Sequence, residues 1–319
     1  MLPLGRSDPL RFFYAVVYVI RASQAALVLS AAFFLLGVWL AVAGDVALHM
    51  YFMTWGLLAF YLAVMYVQLP GFVNAAPVPA ATVYILASYV AGTLGSWHIG
   101  FAAYLPFSLG YVALYAWGLW DKPTYYPNVI TVLGLALLPT AATPLEALLS
   151  FPLASVYTLL YRIDASRARR RFSRAAALAV AGSYAAAFLL AKAGLYWAFL
   201  LPAAVLTAAA RPRLGDAYGA ASFAFRWLVP LSILHHHFAY LGFAVIMSGL
   251  CVPYFLPSIL YREAPRYGPE LLAIAAAALV TRLAGQTALA GVLATALVLY
   301  AAAKSLKMKK IPLIPPSGR

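Results

Sequence analysis

One cysteine, Cys251, is all that 319 residues contain, so neither an internal disulfide nor a cysteine-ligated cluster or zinc site can form within the chain. Charge is nearly as scarce. Only 9% of residues are Asp, Glu, Lys or Arg, and eight of them are acidic. Side-chain amides are rarer still, with two Asn and three Gln. Thermophile proteins show this depletion, and so do chains that lie mostly in lipid. No carboxylate pair, Ser/His/Asp set or phosphate-binding loop stands out, which argues against hydrolytic and nucleotide-dependent chemistry. Asp164-Ala-Ser-Arg167 is too short and isolated to mark a lipid-headgroup transferase. A short cleavable leader is not expected, because Arg6, Asp8 and Arg11 precede an ordinary apolar stretch.

What is present is apolar. Hydrophobic residues make up 65% of the chain and the mean hydropathy is +0.89, far beyond what a soluble domain can solvate. Apolar runs of roughly 17–25 residues, each enough for one bilayer crossing, follow one another from end to end. The expected fold is therefore an all-α integral membrane protein. Its spans read 20–43, 47–69, 78–97, 99–120, 124–142, 145–161, 175–192, 194–210, 217–234, 236–260, 269–284 and 286–303. That gives about twelve, with ten or eleven as alternatives. Residues 10–20 are apolar and aromatic, a candidate for a separate interfacial helix. The whole chain, 1–319, forms one polytopic domain, with halves 1–161 and 175–319 joined by the basic loop 162–174.

Short positively charged loops stay on the cytoplasmic side. With an even number of spans, both termini are cytoplasmic, and so are Lys122, the loop Arg162–Arg174, Arg211/Arg213 and Arg262/Arg266. Of the 22 basic residues, only Arg21, Lys192, Arg226 and Arg282 then lie in spans or outside. The net charge of +14 is thus a topology signal and an attraction to anionic headgroups, not a nucleic-acid footprint. The expected location is the cell membrane and the expected partner is the lipid bilayer.

That topology places all five histidines near the outer face. His49 opens the second span, His98 the fourth, and His235, His236 and His237 the tenth. Neutral imidazole is the usual protein ligand for haem iron and also suits copper and zinc. Asp45, one turn before His49, is a candidate acceptor for its second ring nitrogen. Neighbouring residues diverge by about 100° round a helix, so His235 and His237 point apart and can address different ligands. Tyr51, Phe52, Trp55, Trp97, Phe101, Tyr104, Trp227, Phe238 and Tyr240 gather nearby in sequence, as they do around porphyrins and in interfacial belts.

Spans two and ten echo each other. His49 precedes Gly56 by seven residues and His235 precedes Gly242 by seven, and the spans close with Leu69-Pro70 and Leu256-Pro257. Twelve spans, with His on the second and His-x-His opening the tenth, resemble the haem–copper oxidase subunit I superfamily. The His49-to-Pro70 pattern is also similar to the smaller NnrS-type membrane haem proteins, linked to nitric oxide responses. The resemblance implies that His49 and His237 hold a haem b, with His235 on a second haem, Met53 in its usual place after the span-two His, and Arg282 on haem propionates. It also implies a redox partner or a respiratory complex. Spans six and seven, Leu145–Tyr161 and Ala175–Lys192, hold no histidine, so no copper centre and no terminal oxygen reduction are expected. Electron transfer or binding of a diatomic gas remains, a redox or gas-binding role rather than an enzyme's.

Intramembrane charges are functional candidates by default. Arg21 and Arg226 lie inside spans one and nine, and Glu146 near the outer end of span six. They sustain a rival expectation, a transporter or channel with Arg226 and Glu146 along its path and the outer histidines, His98 included, as a gate or metal-entry site. For Glu146, a carboxylate placed against a helix N-terminal dipole is the plainer role.

Overall fold

The computed structural model describes residues 9–73, 79–121, 128–167, 173–212, 214–215, 217–232, 256–257, 260, 262–263 and 265–310. Among them the regular structure is helical, apart from an isolated pairing in which the Glu263 N–H donates to the Lys309 carbonyl. The helices are α1 (Pro9–Val42), α2 (Val46–Val73), α3 (Pro79–Ile99), α4 (Leu105–Asp121), α5 (Asn128–Leu137) and α6 (Pro144–Leu149). They continue as α7 (Phe151–Arg167), α8 (Arg174–Lys192), α9 (Leu200–Ala209), α10 (Ala217–Ser232), α11 (Glu270–Leu283) and α12 (Thr287–Leu306).

Among the described residues, six helical stretches are long and apolar enough to cross a membrane: Val17–Val42, Val46–Val64, Ala80–Ala116, Pro144–Arg162, Arg174–Lys192 and Thr287–Leu306. The all-α membrane expectation is met at that level. α1 runs unbroken for 34 residues, so residues 10–20 are not a separate helix. No Gly or Pro interrupts the chain between Pro9 and Gly37 to stop it. Three expected spans are not simple rods. Span 99–120 begins with a 3₁₀ turn at Gly100–Tyr104, and span 124–142 ends in one at Leu138–Thr140. Span 145–161 is split at Ser150 into α6 and α7, because Pro152 has no N–H to continue the ladder. Expected span 236–260 lies almost wholly outside the described residues.

Three turns share one construction. Ala43-Gly44-Asp45, Ala193-Gly194-Leu195 and Ala284-Gly285-Gln286 each end a helix with a left-handed glycine, at φ 85°, 85° and 80°. In each, two backbone bonds satisfy the last carbonyls: Gly44 to Ala41 and Asp45 to Leu40, Gly194 to Ala191 and Leu195 to Leu190, Gly285 to Arg282 and Gln286 to Thr281. This is the Schellman arrangement, in which a Cβ would be strained. It lets α1 fold back on α2, α8 on α9, and α11 on α12.

The chain divides into two compact units, Met1–Lys122 with Leu135–Ala147 and Lys310–Arg319, and Pro123–Gly134 with Leu148–Lys309. In the first, small residues seat large ones. A Cβ on Gly56 would lie 2.9 Å from the Phe34 ring, and one on Gly37 3.0 Å from the Met53 sulfur. Stretch Ala80–Ala116 folds on itself at Gly100, bringing Tyr84 against Gly110 and Tyr104 against Gly92. Close approach at small residues is how helices associate where lipid offers no hydrophobic contrast. In the second unit α7 is the core: Phe151 to Tyr161 are all buried. Gly134 of α5 meets it, with a virtual Cβ 2.3 Å from the Ala154 methyl and 2.9 Å from the Ser150 carbonyl.

Candidate functional site

His49 stands in the first turn of α2, whose N-terminus is set by Asp45. The Asp45 carboxylate accepts the Leu48 N–H at 3.0 Å, a standard N-cap bond. Asp45 therefore caps the helix, and the acceptor for the imidazole is a different group. His49 Nδ1 donates to the Gly37 carbonyl of α1 at 2.8 Å. A carbonyl can only accept, so the proton in this bond sits on Nδ1. The absent side chain at Gly37 lets α2 come close enough for the bond, and Met53, one turn below His49, fills the same gap.

Aromatic rings surround this turn. Phe52 and Trp55 lie 5.0 Å apart, Phe33 of α1 sits 5.9 Å from Phe52, and Tyr51 reaches Trp97 at 6.0 Å and Phe101 at 6.2 Å. The Trp55 indole donates to Ser96 at 3.0 Å, tying α2 to α3. His98 is exposed on the last turn of α3. His235, His236 and His237 lie outside the described residues, and among the described residues no group of three or more His, Cys, Asp or Glu side chains is placed to hold a metal.

The second unit contains the other candidate. Arg226 of α10 is completely buried and ion-paired with Asp164 of α7, which is buried as well. Its guanidinium is fully engaged. Nε donates to the Ser222 carbonyl (3.3 Å), one terminal nitrogen to Thr207 Oγ1 (3.4 Å) and the Ala210 carbonyl (3.2 Å) of the α9 end, and the other to Asp164 Oδ2 and Ser222 Oγ (3.1 Å). Ser222 Oγ in turn donates to Asp164 Oδ2 at 3.1 Å. The remaining carboxylate oxygen, Asp164 Oδ1, is buried with no hydrogen-bond partner among the described residues. The cluster lies within one turn of the ends of α7 and α9, and joins three helices.

Asp164, Ser222 and Thr207 were not singled out by the sequence. A signal existed: a buried Arg needs a counter-charge, and Asp164 is one of only eight acids. It is hidden by its neighbours, because Arg162 and Arg167–Arg171 make it look like part of a solvated loop.

The other expected residues have local roles. Glu146 makes a variant of the capping box on α6: its N–H donates to the N-cap Thr143 Oγ1 (3.1 Å), and its carboxylate accepts the N–H of Ala142, one residue before the cap (2.9 Å). Arg282 is half-buried on the last turn of α11, and Arg21 is exposed, donating to Gln24 (3.0 Å). α7 also carries Tyr157, whose buried hydroxyl has no partner among the described residues, and Arg162, which donates to Asn128 at 3.1 Å. At the α6–α7 break the Tyr184 hydroxyl reaches the Leu149 and Ser150 carbonyls, at 2.8 and 2.7 Å.

No protein-family model, curated protein or solved structure matches the chain.

Proposed function

We propose that this protein is a multi-pass membrane haem protein for electron transfer or for binding a diatomic gas such as nitric oxide. It would have about twelve spans, cytoplasmic termini and its histidines near the outer face. The observation that carries the reading is the bond from His49 Nδ1 to the Gly37 carbonyl. Haem- and metal-ligating histidines characteristically donate their other ring N–H to a carbonyl or carboxylate, which orients the ring and makes the ligating nitrogen more basic. Among the residues present, His49 fits an axial role in tautomer and in its aromatic surroundings. His237 is the proposed second ligand, His235 the ligand of a second haem, and Arg282 the propionate partner. The haem would supply one-electron or gas-binding chemistry. The protein holds the ring, excludes water with Phe33, Phe52 and Trp55, and sets ligand basicity through Gly37. The three Schellman turns support the topology, since Gly44, Gly194 and Gly285 all belong to loops that the charge pattern assigns to the outer side.

The test is an absorption spectrum of the purified protein from haem-replete cells, oxidised and dithionite-reduced, with a pyridine haemochrome assay. A Soret band and sharp reduced α and β bands are expected, lost in His49→Ala or His237→Ala. A colourless protein overturns the reading.

A specific observation also favours a second reading, transport of a small solute or ion. α7 is buried from Phe151 to Tyr161, follows a break at Ser150, and carries a buried Arg–Asp pair near its end. Interrupted helices and intramembrane charges are recurrent parts of transport sites. Solute flux in liposomes, lost in Arg226→Ala and shown by haem-free protein, would support it. Intact flux in Arg226→Ala would remove the pair from the path.

A further inference from the structure

We propose that the Asp164–Arg226 pair is a binding site for a monocarboxylate together with one proton, a proton–anion symport site. This rests on the transport reading. Two features of the cluster carry it. Asp164 holds the guanidinium through one oxygen on one terminal nitrogen, so a carboxylate oxygen of an incoming anion can replace it there. The oxygen Asp164 Oδ1 has both lone pairs unused in a dry setting, so it can take a proton without opposing any donor.

Charge conservation supplies the coupling. As it stands, the buried cluster is neutral, with one guanidinium and one carboxylate. A second carboxylate entering alone would leave a net buried negative charge, which is expensive in a low-dielectric interior. If Asp164 is protonated as the anion arrives, neutrality is kept. The balanced step is RCOO⁻ plus H⁺ plus the Asp164⁻–Arg226⁺ pair, giving neutral Asp164 and an RCOO⁻–Arg226⁺ pair. Only an O–H bond forms, at Asp164, and the ion pair changes partner.

The elements packed on the site carry few other charged or titratable groups among the described residues. α9 (Leu200–Ala209) has no titratable residue. The 3₁₀ turn Tyr196–Phe199 offers only the Tyr196 phenol, and α10 only Tyr218, whose hydroxyl donates to the Gly268 carbonyl at 3.3 Å. On α7, Arg162 is bonded to Asn128, Tyr157 and Tyr161 are phenols, and Arg167 follows Asp164 by three residues as a second cation at the helix end, one that favours an arriving anion. Ala210 and Asp164 each lie within a turn of their helix ends.

The probe is radiolabelled L-lactate, a carboxylate ionised throughout the range of interest, binding to the full-length protein in detergent between about pH 5 and pH 8. One proton per anion predicts that Kd rises about tenfold per pH unit once Asp164 is ionised in the free protein. In Asp164→Asn the site carries Arg226 alone, so lactate should bind at least tenfold more tightly at the alkaline end and without pH dependence. Because that variant leaves a buried guanidinium unpaired, the double variant Asp164→Asn/Arg226→Gln is measured beside it. Neutral, and isosteric at position 164, it should fold and bind no lactate. Proteoliposomes loaded with a pH-sensitive dye should acidify internally when an inward lactate gradient is imposed. Lactate flux without proton movement, or pH-independent binding in the unmodified protein, overturns the coupling and leaves the transport reading standing. Absence of both binding and flux overturns the site together with that reading. Binding retained in the double variant overturns the role of the pair.

Discussion

Arg226 and Asp164, 62 residues apart in sequence, form a buried ion pair in which the arginine has every N–H satisfied and the aspartate has one oxygen bare. That asymmetry is informative in itself. A purely structural lock gains from satisfying both partners, and leaving a buried acceptor empty costs roughly 1–3 kcal/mol. Removing one partner is worse. Asp164→Ala should destabilise the protein by about 3–5 kcal/mol, whereas Asp164→Asn/Arg226→Gln should lose less than either single change. Thermal unfolding of Asp164→Asn, Arg226→Gln and the double variant, with Asp164→Ala beside them in the same detergent, checks this. Simple additivity would show that the two side chains do not interact.

Gly134 and Gly182 make a paired test of packing. A methyl group on Gly134 would meet the Ala154 Cβ and the Ser150 backbone carbonyl, neither of which can swing away. Gly134→Ala should cost about 1–3 kcal/mol, as overpacking does. Nothing lies within 4 Å of a Cβ at Gly182, in the middle of α8, so Gly182→Ala should be neutral or stabilise by roughly 0.5–1 kcal/mol. The two melting shifts should have opposite signs or differ plainly in size.

The Schellman turns isolate backbone strain from packing. Gly285 has φ 80° and open space around it, so the cost of Gly285→Ala is conformational alone, about 1–2 kcal/mol. Unfolding measurements on this variant should show destabilisation with no change in ligand spectra or flux. An unaltered melting point would mean that the turn tolerates a Cβ.

Glu146 separates two roles cleanly. As the reciprocal partner in the variant capping box, Glu146→Gln keeps the acceptor oxygen and should change stability by less than about 1 kcal/mol, while Thr143→Ala loses about 0.5–2 kcal/mol. Solute flux should survive both. Abolished flux in Glu146→Gln at unchanged stability would make it a path residue instead.

Gly37 tests the histidine. In Gly37→Ala the new methyl would press on the Met53 sulfur at about the distance seen for the virtual Cβ, 3.0 Å. That should push α1 from α2 and lengthen the bond that orients His49. In a haem-bearing protein the expected readout is a shifted Soret band or lower haem occupancy; an identical spectrum and occupancy would detach Gly37 from the site.

The class of the fold could be read directly, because apolar run length and the scarcity of charge are properties of composition along the chain. The places where the chain turns back near 44, 194 and 285 followed from the span boundaries, but the left-handed glycines that make those turns became visible only in the backbone. The break inside 145–161 could be suspected only from Pro152, and the capping of α2 by Asp45 was misread as support for His49. Both are choices between nearby acceptors, which depend on where the backbone passes.

The sequence alone determined an all-helical membrane chain and which rare polar residues had to be explained. Tertiary structure decided their partners. Burial of Arg226 demanded a counter-charge, but nothing local distinguishes Asp164 from the arginine-rich loop it borders. Only the packing of α7, α9 and α10 puts that carboxylate within reach. Likewise the imidazole of His49 found a carbonyl twelve residues back in the chain, because helix approach at Gly37 is set by side-chain volume on two helices at once.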